Sequence, residues 1–106
     1  MLTYERLRDV LHYDPETGVW TWLARTSNRI KVGDVAGSPN SQGHIQIRVD
    51  GVRYKAHRLA FLWMTGEWPP QFVDHVNGVR DDNRFANLRP ATPAEDQPNQ
   101  RRARSN

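Results

Sequence analysis

The run His44–Val49, then Asp50-Gly51, then Val52–Ala56 constrains this chain more than any other stretch. Ile45, Ile47 and Val49 alternate with polar residues, the mark of a strand with one buried face. A two-residue Asp-Gly link between β-rich runs favours a type I′ turn, so an antiparallel hairpin is predicted. HRLAFLWMTG follows at 57–66. Leu59, Leu62 and Trp63, with Phe61 flanking, predict a short buried helix that ends at Gly66. The chain contains no cysteine, which removes disulfide partners, thiolate zinc sites and cysteine nucleophiles together. Zero cysteine fits a reducing, cytoplasmic setting.

Around this centre the signals are shorter. Residues 3–12 predict a helix, with Leu7, Val10 and Leu11 on one face and Thr3 as N-cap. YDPETG at 13–18 predicts a turn, and VWTWLA at 19–24 alternates like a strand. Residues 25–43 are polar and glycine-containing, and predict a loop. FVDHV (72–76) and LRPAT (88–92) predict two short strands around an Asn/Asp-rich loop, 77–87. Thr92 as N-cap, Pro93 and Glu95 predict the start of a helix over 93–104, with Pro98 awkward for its continuation. The four tryptophans, at apolar-patterned positions, are expected in the core. With 106 residues, of which 37 % are hydrophobic, the expectation is one small α+β domain over 1–106. The charged opening MLTYERLRDV argues against secretion, and no apolar run is long enough for a membrane helix.

Charge narrows the partner. The formal balance is +3, and thirteen of the fifteen basic residues are arginine. Arginine's planar fork matches phosphate oxygens, so a polyanion, nucleic acid before membrane, is the expected partner. Arg48, Arg53 and Lys55 alternate along the predicted hairpin, Arg80, Arg84 and Arg89 flank the later loop, and Arg101 and Arg102 lie in a basic tail, 101–106. All eight are candidate DNA contacts. Beside them stand Asp74, His75, Asn83, Asn87 and Asp96. Two carboxylates brought together from strand and helix can hold a magnesium-type ion, and a histidine beside it can take a proton from water. Asp74 and His75 are adjacent on a strand and point apart unless the strand ends there, as Asn77-Gly78 suggests. A bare Asp-His pair is as compatible with a hydrogen-bonded surface pair.

The stretch VDHVNGVRDDNRFANLRPATPAEDQPN, 73–99, resembles the HNH endonuclease motif in its phage and intron homing form. Asp74-His75-Val76-Asn77-Gly78, Asn83, Asn87-Leu88-Arg89 and Thr92-Pro93-Ala94-Glu95 stand at the family spacing. YDPETGVWTW, GHIQIRVDGVRYKAHRLAFL and TGEWP resemble the lead-ins of phage members. The resemblance implies a helix/hairpin/helix part over 3–71 and a ββα-metal motif over 72–100. It implies a metal-dependent DNA endonuclease that nicks one strand or, as a homodimer, cuts both, leaving 5′-phosphate and 3′-hydroxyl ends. His75 would be the general base, Asn87, catalytic with it, would bond across the loop, fix the two strands and orient His75, and Asn83 would support the same loop. Asp74 and the residue at 96 would hold one divalent cation, magnesium first, manganese as a substitute and zinc less suited. A phage-encoded member would act in the host-cell cytoplasm. At position 96 the family carries Asn where this chain has Asp, which adds negative charge to the metal site. A scaffold that binds DNA without cutting it, or a phage DNA-packaging accessory, are the rival readings. Of the other histidines, His57 reads as a satisfied, partly buried group, His44 as strand surface and His12 as a helix-end residue.

Overall fold

A computed structural model describes residues 2–69 and 72–91. Two helices and three small antiparallel sheets make an α+β fold. The first helix, α1 (Tyr4–Val10), starts at Thr3, whose side chain accepts from the Arg6 amide. It is shorter than the periodicity predicts, because Leu11 turns extended and begins a strand, β1 (Leu11–Tyr13). Leu11 and Tyr13 stay buried, while His12 leaves the helix end and packs edge-on to Trp63. A strand can bury alternate residues as readily as a helix face buries i, i+4, and pairing with Trp20–Trp22 (β2) decides for the strand.

The Asp50-Gly51 hairpin forms as its turn chemistry dictates. Both residues have positive φ, 52° and 83°, the type I′ requirement. β4 (Ile45–Val49) pairs with β5 (Val52–Lys55), and Ile47 and Val49 are buried. The predicted loop 25–43 contributes one short strand, β3 (Ser38–Pro39), which extends this sheet on the β4 side. The second helix, α2 (Ala56–Thr65), follows β5 directly and ends at Gly66 in the left-handed region. Leu59, Ala60 and Leu62 join Leu7, Val10, Ile47 and Val49 in the core. Trp20 and Trp22 are buried. Trp63 and Trp68 are half-buried at its edge, the first beneath the Arg8 guanidinium and the second donating to the Leu2 carbonyl.

The last sheet pairs β6 (Phe72–His75) with β7 (Leu88–Ala91), setting Asp74 opposite Arg89 and His75 opposite Leu88. The loop between them closes on a 3-10 turn, Phe85–Asn87. That loop is stitched to the far end of the chain. The Tyr13 hydroxyl donates to the Asn83 carbonyl, and the Phe85 amide donates to the Pro15 carbonyl. Gly18, at φ +78°, lies so close that an added Cβ would stand 2.5 Å from the Asn83 carbonyl carbon. Gly18→Ala therefore meets both backbone strain and a collision. We expect it to cost about 2 kcal/mol or more, against about 1 kcal/mol for Tyr13→Phe. Urea unfolding midpoints measure both, and an unchanged midpoint for Gly18→Ala contradicts this packing.

Candidate active site

β6 delivers the central pair. Its strand ends at His75, where the Gly78 amide donates back to the His75 carbonyl and Gly78 takes φ +76°. This turn lets neighbours that would point apart border one open depression, lined by His44, Asp74, His75, Gly78 and Arg80. His75 is buried, and Asp74 is partly exposed and paired with Arg89 at 3.1 Å. A pair this exposed contributes ~0–1 kcal/mol, so the guanidinium can yield the carboxylate to a stronger partner. The carboxylate suits a hard divalent cation, which prefers oxygen ligands. Asp96, the second expected ligand, lies outside the described residues, as do Arg101, Arg102 and the helix expected over 93–104.

The His75 Nε2 lies 2.8 Å from Asn83 Oδ1. An amide oxygen only accepts, so Nε2 donates to it, and in the neutral ring Nδ1 then carries the lone pair. Asn83 is itself buried and held through its carbonyl by Tyr13. Burial pushes the Tyr13 hydroxyl well above the ordinary tyrosine range, with Asp14 and Asp82 adding to it, so it stays protonated and donates.

Asn87 serves the loop. Its side chain accepts from the Asn77 amide and donates to Asn77 Oδ1 and the Asp82 carbonyl, while its own carbonyl accepts from the Val76 amide. It bonds across the loop, and the contact with the His75 ring belongs to Asn83. Arg84 forks onto Asp82, holding that carboxyl far below the usual range, with the Asn77 side-chain bond adding to the effect. Arg84 thus works inside the loop, and Arg80 bonds the Gln42 carbonyl at 2.7 Å.

Arg48 faces Arg53 across the β4–β5 ladder, and Lys55 stands two residues along from Arg53, so all three share the exposed face opposite Ile47 and Val49. A second depression, bordered by Arg53, Lys55, His57 and Arg58, runs from this face to the first and shares His44, Phe72 and Val73 with it.

His44 and His57, expected as strand surface and as a satisfied core residue, instead gather around His75. Ring centroids lie 4.8 Å apart for His57–His75, 5.2 Å for His44–His57 and 5.8 Å for His44–His75. The Nδ1 atoms of His44 and His57 are buried without a hydrogen-bond partner. The signal was present in the hairpin. A two-residue turn sets positions equidistant from Asp50-Gly51 opposite each other. That register places His44 and His57 near its open end, and packing of α2, outside the ladder, brings the rings together.

Residues 54–97 match the family model described as HNH endonuclease. The matched segment runs from β5 through α2, β6 and β7, and includes His57, Asp74, His75, Asn83, Asn87 and Asp96. This segment, less than half of the chain, is thus similar to the HNH endonuclease family. No curated protein and no solved structure matches the chain. Among the described residues, no helix is long and apolar enough to cross a membrane.

Burial pushes the His57 imidazole down to about 3, with the His75, His44, Lys55 and Arg58 charges adding to it. Its folded pKa lies below the unfolded value of about 6.5, so the unfolded chain binds more protons between the two. This contribution to stability is complete above about pH 6.5 and is lost as pH falls toward 3. In chelator, the urea midpoint should drop from pH 7 to pH 5, and His57→Gln should flatten that drop. A wild-type midpoint constant over this range contradicts a buried neutral His57.

Proposed function

We propose that the protein is a metal-dependent DNA endonuclease in which His75 is the general base. The observation that carries this reading is the bond from His75 Nε2 to Asn83, which leaves Nδ1 to accept a proton, in a depression that Asp74 also lines. His75 takes a proton from water as its oxygen attacks phosphorus, the bond to the 3′-oxygen breaks, and the 3′-oxygen leaves to be protonated. Asn83 is a positioning residue that fixes the imidazole tautomer and direction. Asp74 and Asp96 are the oxygen ligands for one divalent cation, Mg2+ before Mn2+. Such a cation, when bound, stabilises negative charge on the phosphate and the leaving oxygen. Asp96 adds a carboxylate where the family carries an amide, which strengthens the attraction for the cation.

The basic hairpin face is the phosphate track. Arg48, Arg53 and Lys55 precede the depression that leads to His75, with Arg80 at its rim. Arg84 and Arg89 each hold an acidic partner, so the hairpin trio carries more of the DNA contact than the loop arginines do. One such unit acts on one strand at a time, and a double-strand break requires a second copy or a second visit.

Nicking of supercoiled plasmid in Mg2+ or Mn2+ tests the reaction. His75→Ala should lose about 10²–10⁴-fold in rate and Asn83→Ala about 10–100-fold. Equal nicking by wild type and His75→Ala removes His75 as the base. DNA binding without any metal-dependent product removes the nuclease reading. A second measurement tests the track. Replacing Arg48, Arg53 and Lys55 by Ala should flatten the slope of log affinity against log salt by roughly 0.9 for each phosphate no longer neutralised. An unchanged slope places the DNA elsewhere.

A further inference from the structure

We propose that His44, His57 and His75 form a second metal site, selective for an imidazole-seeking ion such as Zn2+, whose occupation blocks the nuclease by engaging His75. The inhibitory half of this proposal rests on His75 acting as the base; the binding half does not.

One ligand atom from each of the three imidazoles can be chosen so that all lie within 4.8 Å of one another. They come from three separate parts of the chain: the residue before β4, the first turn of α2 and the end of β6. The arrangement is therefore made by tertiary packing. In a tetrahedral zinc site with Zn–N near 2.0–2.1 Å, donors stand about 3.4 Å apart, so the rings need to close by up to about 1.4 Å. His44 is only half-buried and sits beside the loop that precedes β4, where that movement is cheapest.

A second, independent observation points to a ligand. His57 is 5 % exposed and its Nδ1 has no hydrogen-bond partner, a state that a ligand at this atom would relieve. The Nδ1 of His44 is likewise buried and unpartnered. Burial keeps His57 neutral near pH 7, which is the ligating form. On His75, the bond to Asn83 occupies Nε2 and leaves Nδ1 as the ring nitrogen open to a ligand. Three neutral imidazoles suit Zn2+, Cu2+ or Ni2+, whereas Mg2+ requires oxygen donors. The set is thus chemically distinct from the carboxylate site at Asp74. Lys55 and Arg80 lie near enough to lower the His44 pKa, after burial as the main cause, and the same charges temper the affinity for a cation.

The test is titration of zinc chloride into the metal-free full-length chain by calorimetry, with Co2+ as a spectroscopic substitute. Wild type should bind one equivalent, and Co2+ should give the intense visible bands of a tetrahedral site. His44→Ala and His44→Gln should each weaken Zn2+ at least about tenfold, with melting curves confirming that both variants fold. Asp74→Ala should leave Zn2+ affinity unchanged. In the Mg2+ plasmid assay, stoichiometric Zn2+ should suppress nicking in wild type, and His44→Gln should relieve the suppression. Identical Zn2+ titrations for wild type and both His44 variants overturn the site, as does loss of Zn2+ binding in Asp74→Ala alone. If plasmid is never nicked, the nuclease reading fails, while the calorimetry still decides whether the three-histidine site exists.

Discussion

The arrangement of the site depends on how one backbone carbonyl, that of Asn83, is held. The loop from Asn77 to Asn87 has almost no regular structure and would lose much conformational entropy on ordering. The Tyr13 hydroxyl reaches it from a strand seventy positions away in sequence, and Gly18 presses against it with no side chain between. The first hairpin thus acts as a clamp on the last loop. With the Asn83 backbone fixed, its amide meets the His75 ring at hydrogen-bond distance, and the imidazole has one available face. Asn87 and Asn77 supply the rest of the stiffness, by donating and accepting where strand ladders are absent.

The site also combines opposite degrees of burial. Asp74 lies near the surface with an easily displaced arginine, while His75 lies within, among two other imidazoles. Burial, with nearby positive charge, lowers the pKa of His57 and of His44. Such perturbed groups in a cleft concentrate at functional sites. The core offsets this elsewhere: Leu7, Leu11, Ile47, Val49 and Leu59 are almost completely excluded from water.

Much of this organisation follows from a single turn. Asp50-Gly51 sets the register of β4 and β5, and that register does two things. It puts Arg48, Arg53 and Lys55 on one open face, and its open end at Gln46 and Lys55 leaves His44 near the start of α2, where His57 packs against it. The basic face thus adjoins the imidazole cluster, and Arg53 and Lys55 border the same depression as His44 and His57.

Local chemistry made several features legible from the residues alone. The type I′ hairpin, the Thr3 cap, the Gly66 helix stop and the β6 strand follow from short-range rules, because turn and cap conformations depend on only a few neighbouring residues. The spacing of Asp74, His75, Asn83 and Asn87 likewise pointed to the family without any knowledge of the fold. The early end of α1 was not legible, since Leu11 and Tyr13 satisfy either periodicity and only pairing with Trp22 and Trp20 separates them. Nor was the partner of His75: Asn83 and Asn87 are the same residue type in one loop, and Tyr13 and Gly18 choose between them from outside it. The sequence by itself determined the Asp50-Gly51 turn, the strands beside it, β6 and the spacing of Asp74, His75, Asn83 and Asn87, because those are properties of nearby residues. Only the tertiary structure decided which histidines meet, because that distance is set by the packing of distant segments.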